Sequence, residues 1–244
     1  MTERVLYLLH FDGSFADEVA GNTWVPGPSF GAVTSTAQKK YGTASLRYDA
    51  NADFNWNLAS SSANLGGSDA WSTSSWCADA YIYFTGSTAS KRKPVLCNIL
   101  FTGGGQVVVQ YYQNNLACTH YTNAGYSNDI YVAVAPFSIN TWYHIRWSCD
   151  GANTYLFVNG TLIDTSAVFG SPTMTGPATG ATMYTTISPG PHAELMYVDE
   201  CRFIIDSAVT TTTFPPLIDP FPAPGPPPPA AAFWTNFVRS YEVI

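Results

Sequence analysis

Residues 142–160 read WYHIRWSCDGANTYLFVNG and set His144, Arg146, Cys149 and Asp150 within seven positions. Charged residues make up only 11% of the chain, so this concentration invites a chemical reading. An imidazole, a carboxylate and a thiol are the parts of a base-activated nucleophile, provided that their side chains converge. Strand alternation works against convergence, because it puts Trp142, His144, Arg146 and Ser148 on one face and Tyr143, Ile145, Trp147 and Cys149 on the other. The second set is the core face. At ~3.3 Å per residue, His144 and Asp150 lie roughly 20 Å apart along the strand. Asp150-Gly151 supplies the positive-φ residues of a tight turn, and Asn159-Gly160 is the strongest short hairpin signal in the chain. The stretch reads as a meander of short strands and not as a reactive centre.

The other chemistry-bearing residues are sparse. Cys77, Cys97, Cys118, Cys149 and Cys201 are odd in number, widely spaced and without a C-x-x-C pair. That fits neither a zinc site nor a complete disulfide framework, and buried free thiols in strands are the expectation. Cys118 and His120 alternate onto one face and are the nearest thing to a thiol–imidazole pair. Among Glu3, Glu18, Glu194, Glu200 and Glu242, only Glu194 and Glu200 stand near one another. Alternation gives those two one face, six residues apart, with Asp199 on the opposite face. The run FTGGGQ lacks the Lys-Ser/Thr and following helix of a phosphate loop and reads as a turn.

The elements available to position a site are strands. Apolar residues are 46% of the 244 and aromatics 15%, so the wet surface falls to Ser, Thr, Asn and Gly, where helices would carry Glu, Lys and Arg. Strand-like runs fall at 4–11, 31–36, 44–49, 74–84, 95–102, 106–112, 116–121, 130–135, 142–149, 154–158, 161–164, 182–188 and 194–205. No helix-length period links them, which excludes parallel crossovers, and no repeat of about 40 to 50 residues marks propeller blades. The expectation is an all-β, two-sheet antiparallel jelly-roll sandwich over residues 1–213.

From Phe214 the chain turns Pro-rich, so residues 214–244 are expected to form an extended polyproline arm. Phe233, Phe237 and Tyr241 recur at i, i+4, i+8, with Trp234 and Val238 beside them, which predicts a short amphipathic helix that does not hold alone in water. Phe214, Pro215, Pro216, Phe221, Phe233, Trp234, Phe237 and Tyr241 are the expected partner-binding residues of this arm. The alternative is that the arm wraps its own domain.

The net charge of −7 excludes a phosphate-neutralising nucleic-acid binder, and the short basic run SKRKP reads as a solvated loop. No apolar run nears the ~18 residues that span a bilayer, and the N-terminus lacks a secretory signal. Synthesis in a cytoplasm, without membrane insertion, is expected.

Four segments in order resemble one family. NTWYHIRWSCDGANTYLFVNGTLID is similar to the W-x-H…DG…LYV[ND]G hairpin of laminin-G-like, concanavalin A-like jelly rolls, a group of lectins, pentraxins and family-16 glucanases. VLYLLHFDGSFADEVAGN resembles their first strand and turn, and KKYGTASLRYDA their G-x-[AS]-L-x-[FY]-[DN] strand. MYVDECRFIIDSAVTTTTFPPLIDPFP resembles the closing strand and Pro-containing exit of such domains in tailed-bacteriophage virion proteins.

The resemblance implies a non-enzymatic structural protein of a phage virion, a capsid decoration or a tail or fibre accessory, made in the host cytoplasm. It would be held through its C-terminal arm to other virion proteins, as a homo-oligomer. The alternative is a lectin-like module for cell-surface glycans, using Phe54, Trp56, Tyr121 and Tyr126 in aromatic loops; core or interface roles for these rings stay open. The E-x-D-x-E carboxylates of the glucanases have no match here, so hydrolysis is not expected. The resemblance also implies a structural calcium at Asp12 and Asp199, for which turn capping and backbone hydrogen bonds are the alternative. No other cofactor is expected.

Overall fold

The computed structural model describes residues 4–19, 24–26, 33–48, 56–61, 72–86, 93–94, 98–101, 106–112, 114–122, 125–134, 137–168, 174–175, 178–185, 196–206, 209–215 and 219–221. One sheet contains β1 (Arg4–Leu9), β3 (Val33–Ser35), β4 (Ser45–Tyr48), β7 (Trp76–Phe84), β13 (Trp142–Cys149), β14 (Asn153–Val158), β15 (Thr161–Ala167) and β18 (Met196–Ile205). The other contains β2 (Trp24–Pro26), β5 (Trp56–Ser61), β8 (Lys93–Pro94), β9 (Asn98–Phe101), β10 (Gln106–Tyr112), β11 (Asn115–Thr122), β12 (Gly125–Ala133) and β17 (Ala178–Thr185). A small ribbon pairs β6 (Ser72–Thr73) with β16 (Met174–Thr175). Every described pairing is antiparallel, and the described residues contain no helix.

The first sheet runs β15-β14-β13-β7-β18-β4-β3, and the second β12-β11-β10-β9-β17-β5-β2. Non-consecutive neighbours such as β7 beside both β13 and β18 give the crossed connectivity of a jelly roll. β4 and β1 lie end to end along the same edge of β18, pairing with Met196–Val198 and with Cys201–Ile205 respectively.

Alternation assigned the core face of β13 correctly: Ile145, Trp147 and Cys149 are fully buried in the main cluster, with Tyr143 packed on it. Trp147 meets Trp76 edge to face at 4.7 Å between centroids, and Trp76 stacks on Phe203 at 5.6 Å. Val107, Val109, Tyr111, Leu116 and Cys118 close this core from the second sheet. The Asn159-Gly160 hairpin is also as expected, with φ of 49° and 78° between β14 and β15, the twist-compatible primed turn. At the preceding turn Gly151 takes a positive φ of 97°, while Asp150 caps instead, its carboxylate accepting from the amides of Ala152 and Asn153.

Three expectations are corrected. Trp56 begins strand β5 and is not in a loop. Tyr121 and Tyr126 are likewise strand residues, directly opposite in the β11–β12 pairing, which continues to Thr122↔Gly125. The third concerns β18, where pairing jumps from Asp199↔Tyr81 to Arg202↔Asp79. Glu200 and Cys201 therefore face the single residue Ala80, and Glu200 takes φ +52°. This bulge inverts the alternation: Met196 and Val198 point to the core before it, Cys201, Phe203 and Ile205 after it. Asp199 and Glu200 consequently end up on the same, outer side of the sheet, contrary to strict period two.

Candidate functional site

The outer face of the first sheet is where the chemistry gathers. Cross-strand register builds it in rows. His144, Tyr81 and Asp199 form one; Phe157, Arg146, Asp79, Arg202 and Leu8 form the next; Tyr155, Ser148, Cys77, Ile204 and Val5 form a third. An outer face would ordinarily be wet, yet Asp79, Asp199, Ser148 and Phe157 are wholly buried and His144 is 2% exposed.

The cover is the chain's own C-terminal segment. Thr210 accepts a hydrogen bond from Ser148 Oγ through its carbonyl and one from Arg146 Nη1 through its hydroxyl, both 3.4 Å. The Leu162 amide donates to Thr213 Oγ1 at 3.1 Å, and the Phe214 amide to the Gly160 carbonyl at 2.9 Å. Gly160 permits that approach, because a Cβ there would strike the Phe214 carbonyl. The Phe221 amide donates to Glu200 Oε2 at 2.8 Å, and its ring is 3% exposed, packed with Leu8 and Tyr81. Phe214 and Phe221, expected to meet a partner, thus pack on their own domain through residue 221. Pro215 is exposed beside them. Pro216, Phe233, Trp234, Phe237 and Tyr241 lie outside the described residues, as does the predicted terminal helix.

Beneath the strap sits an ionic cluster centred on Asp79. Its Oδ1 accepts from Arg146 Nε at 2.6 Å and from His144 Nε2 at 2.9 Å; its Oδ2 accepts from Arg202 Nε at 2.9 Å and Arg146 Nη2 at 3.3 Å. Burial alone would raise this carboxyl, but the two guanidiniums and the imidazole hold it well below the usual carboxylate range. Cys77 Sγ also points at it, 3.4 Å from Oδ2, and burial followed by the Asp79 charge pushes that thiol up to about 12. His144 is therefore paired with Asp79, a partner 65 residues away that its sequence neighbourhood did not suggest, and not with Asp150. Asp150 instead accepts the Tyr155 hydroxyl.

The β18 bulge forms a second acidic spot, beside the start of β4 and the end of β1. Glu200 Oε1 contacts His10 Nδ1 at 2.7 Å, and this bond, acting against partial burial, raises the His10 pKa. Asp199 Oδ2 accepts the Lys40 amide at 2.8 Å and the Tyr41 amide at 3.2 Å, while its Oδ1 accepts the Glu200 amide. Burial lifts Asp199 to about 7 against the pull of those amides.

Asp12 accepts the amides of Thr43 and Ala44, which hold it below the ordinary carboxylate value despite burial. Asp12 Oδ1 and both oxygens of Asp199 thus accept backbone N–H groups, the turn-capping and backbone-bonding roles. Among the described residues no group of three His, Cys, Asp or Glu is placed to hold a metal.

Cys118 is fully buried in the core, and the described cysteines, Cys77, Cys118, Cys149 and Cys201, are free and buried as expected. Glu194, Phe54 and Cys97 lie outside the described residues. Sequence reasoning missed Asp79 and the strap; the clue available was that Trp76–Phe84 offers no polar side but one aspartate, as a strand covered on both faces must.

The chain belongs to the concanavalin A-like lectin/glucanases superfamily, whose family description matches residues 57–188, more than half of it. Among solved structures it is similar in fold to the binding domain of botulinum neurotoxin serotype G, at 10% identity and TM-score 0.60 over 82% of this chain and 47% of that one. It is likewise similar to the binding domain of Paraclostridial mosquitocidal protein 1, at 12% identity and TM-score 0.59 over 84% and 49%. A third is the botulinum neurotoxin serotype D ligand-binding domain in complex with N-acetylneuraminic acid, at 10% identity and TM-score 0.60 over 84% and 48%. The chain thus spans about half the length of these structures, and at such identities the likeness is one of fold. No curated protein matches it.

Proposed function

We propose that this chain is a non-enzymatic binding module that takes glycans and is carried on the virion of a tailed phage. The observation that carries the non-enzymatic part is the commitment of the outer-face carboxylates. Asp79 is held by two arginines and a histidine, Asp199 by three amides, and Glu200 by His10 and the strap. None is left as the acid and nucleophile pair that glycoside cleavage requires. Glycans as ligand class draw support from the superfamily and from the neighbour solved with N-acetylneuraminic acid. Phe54, Trp56, Tyr121 and Tyr126 are the rings proposed to stack on sugar. A glycan array tests this: specific binding lost in Trp56→Ala or Tyr126→Ala supports it, and a blank array overturns it.

Virion placement draws on the resemblance of the closing strand and its Pro-rich exit to phage virion proteins. Docking in the particle is assigned to residues 222–244, the portion beyond the strap, with further copies of the chain as neighbours. Deleting residues 222–244 should leave a folded, glycan-competent domain that no longer enters particles. Full incorporation of the truncated chain would remove that assignment.

A further inference from the structure

The strap-covered face presents two flat cations side by side. Asp79 binds Arg146 through Nε and Nη2 and Arg202 through Nε, so each guanidinium meets the carboxylate with its edge. Their broad faces are left for whatever lies above, and above each lies one phenyl ring. The Phe214 centroid is 4.6 Å from Arg146 Cζ, and the Phe221 centroid 3.8 Å from Arg202 Cζ. This geometry discriminates between ligand chemistries: an anion binds a guanidinium along its N–H edge, whereas an aromatic ring binds its face. With edges given to Asp79, the platforms favour rings.

The surroundings reinforce that choice. His144 meets both rings edge to face, at centroid distances of 6.1 Å to Phe214 and 6.0 Å to Phe221. Phe157 flanks Phe214 at 5.2 Å, and Tyr81 flanks Phe221 at 5.9 Å. Among the described residues the backbone is read at three points, by Ser148 at the Thr210 carbonyl, by the Gly160 carbonyl at Phe214 and by Glu200 at Phe221. No described residue of 209–221 joins a β-ladder. Pro215 and Pro220 adjoin the two rings and limit the entropy lost when such a segment is ordered. Side-chain rings at fixed spacing on a proline-stiffened backbone are features by which grooves recognise linear peptides.

We propose that the outer face of the first sheet is a peptide-recognition groove for two aromatic rings seven residues apart in a proline-flanked segment, and that the segment carrying Thr210, Phe214 and Phe221 is its intramolecular ligand. The groove thereby clamps the root of the C-terminal segment to the domain. This inference is independent of glycan binding and of the virion.

The test uses the full-length chain. Phe214→Ala/Phe221→Ala empties the ring sites; hydrogen exchange at the amides of residues 214 and 221 should then quicken at least tenfold, while that of Ile145 and Trp147 is unchanged. A synthetic peptide of residues 209–222 should bind this variant saturably and restore protection, and should bind the wild type, whose groove is filled, at least tenfold more weakly. A peptide with both phenylalanines replaced by leucine should bind about tenfold more weakly than the native one, because leucine keeps apolar area but has no π-face. Should the alanine pair unfold, Phe214→Leu/Phe221→Leu takes its place as acceptor, with the same peptide expectations. Unchanged protection in the variant, no binding of the peptide, or equal binding of the phenylalanine and leucine peptides would each overturn the proposal.

Discussion

The two faces of the first sheet are covered by opposite means. On the inner face Trp76, Trp147, Phe203 and Ile145 pack against the second sheet with apolar contact alone. On the outer face the layer consists of a buried carboxylate and imidazole with two largely buried guanidiniums, under two phenyl rings. The first face gains free energy from every ångström squared removed from water. The second recovers desolvation only through complete pairing, and so tolerates the loss of any one member poorly. A core can be built from many side chains; an ionic layer has few solutions.

The largest effect that would sharpen this contrast comes from Asp79→Ala, which strands two buried guanidiniums and should cost about 3–5 kcal/mol in urea unfolding. Trp147→Ala should cost a similar ~3–5 kcal/mol through a cavity. The faces part company on repair. Replacing Asp79, Arg146 and Arg202 together by apolar residues of like volume should recover most of the loss, and the contrast breaks if that triple variant is no more stable than Asp79→Ala.

Next in size is Gly160→Ala, which collides with the Phe214 carbonyl and strains a φ of 78°, and should cost about 1–2 kcal/mol. Limited proteolysis should then cut residues 209–221 faster and leave β13 untouched.

The two outer-face carboxylates should also give opposite pH slopes. Asp199 is raised from 3.8 to about 7, so its contribution is present below the ordinary carboxylate value and is lost as pH rises through about 7. Wild-type stability should therefore decline relative to Asp199→Asn between about pH 4 and pH 7, measured by urea titration. Asp79 is held low, so its contribution is present above the ordinary value and is lost only as acid protonates it. The smallest effect is chemical silence: at neutral pH native Cys77, Cys118, Cys149 and Cys201 should resist alkylation, and rapid labelling of Cys77 would contradict its burial beside Asp79.

The inner face was legible because its information is local. Alternation in WYHIRWSC names Ile145, Trp147 and Cys149 without reference to any other strand, and Asn159-Gly160 fixes the hairpin in two residues. The outer face was not, because its meaning is distributed: Asp79, His144, Arg146, Arg202, Phe214 and Phe221 come from four separate places in the chain. Within one strand His144 and Arg146 look like solvent-facing polar residues, and only register reveals the carboxylate opposite. Phe214 and Phe221 were noticed, but their destination depended on knowing that a face lacked a cover. Trp56 was misplaced because the Asn-rich approach to it resembles a loop; the pairing with β17 that makes it a strand is remote in sequence.

β18 behaves as two short texts in different reading frames, spliced by one inserted residue at Glu200. Before the splice its even-numbered side chains belong to the interior, after it the odd-numbered ones. Deleting Glu200 would restore one frame through the strand, Cys201 alone facing Ala80, with Arg202 still outward and Phe203 still inward. A single-codon deletion at this point would thus spare both faces of the strand and cost chiefly the bonds of Glu200 to His10 and to the Phe221 amide.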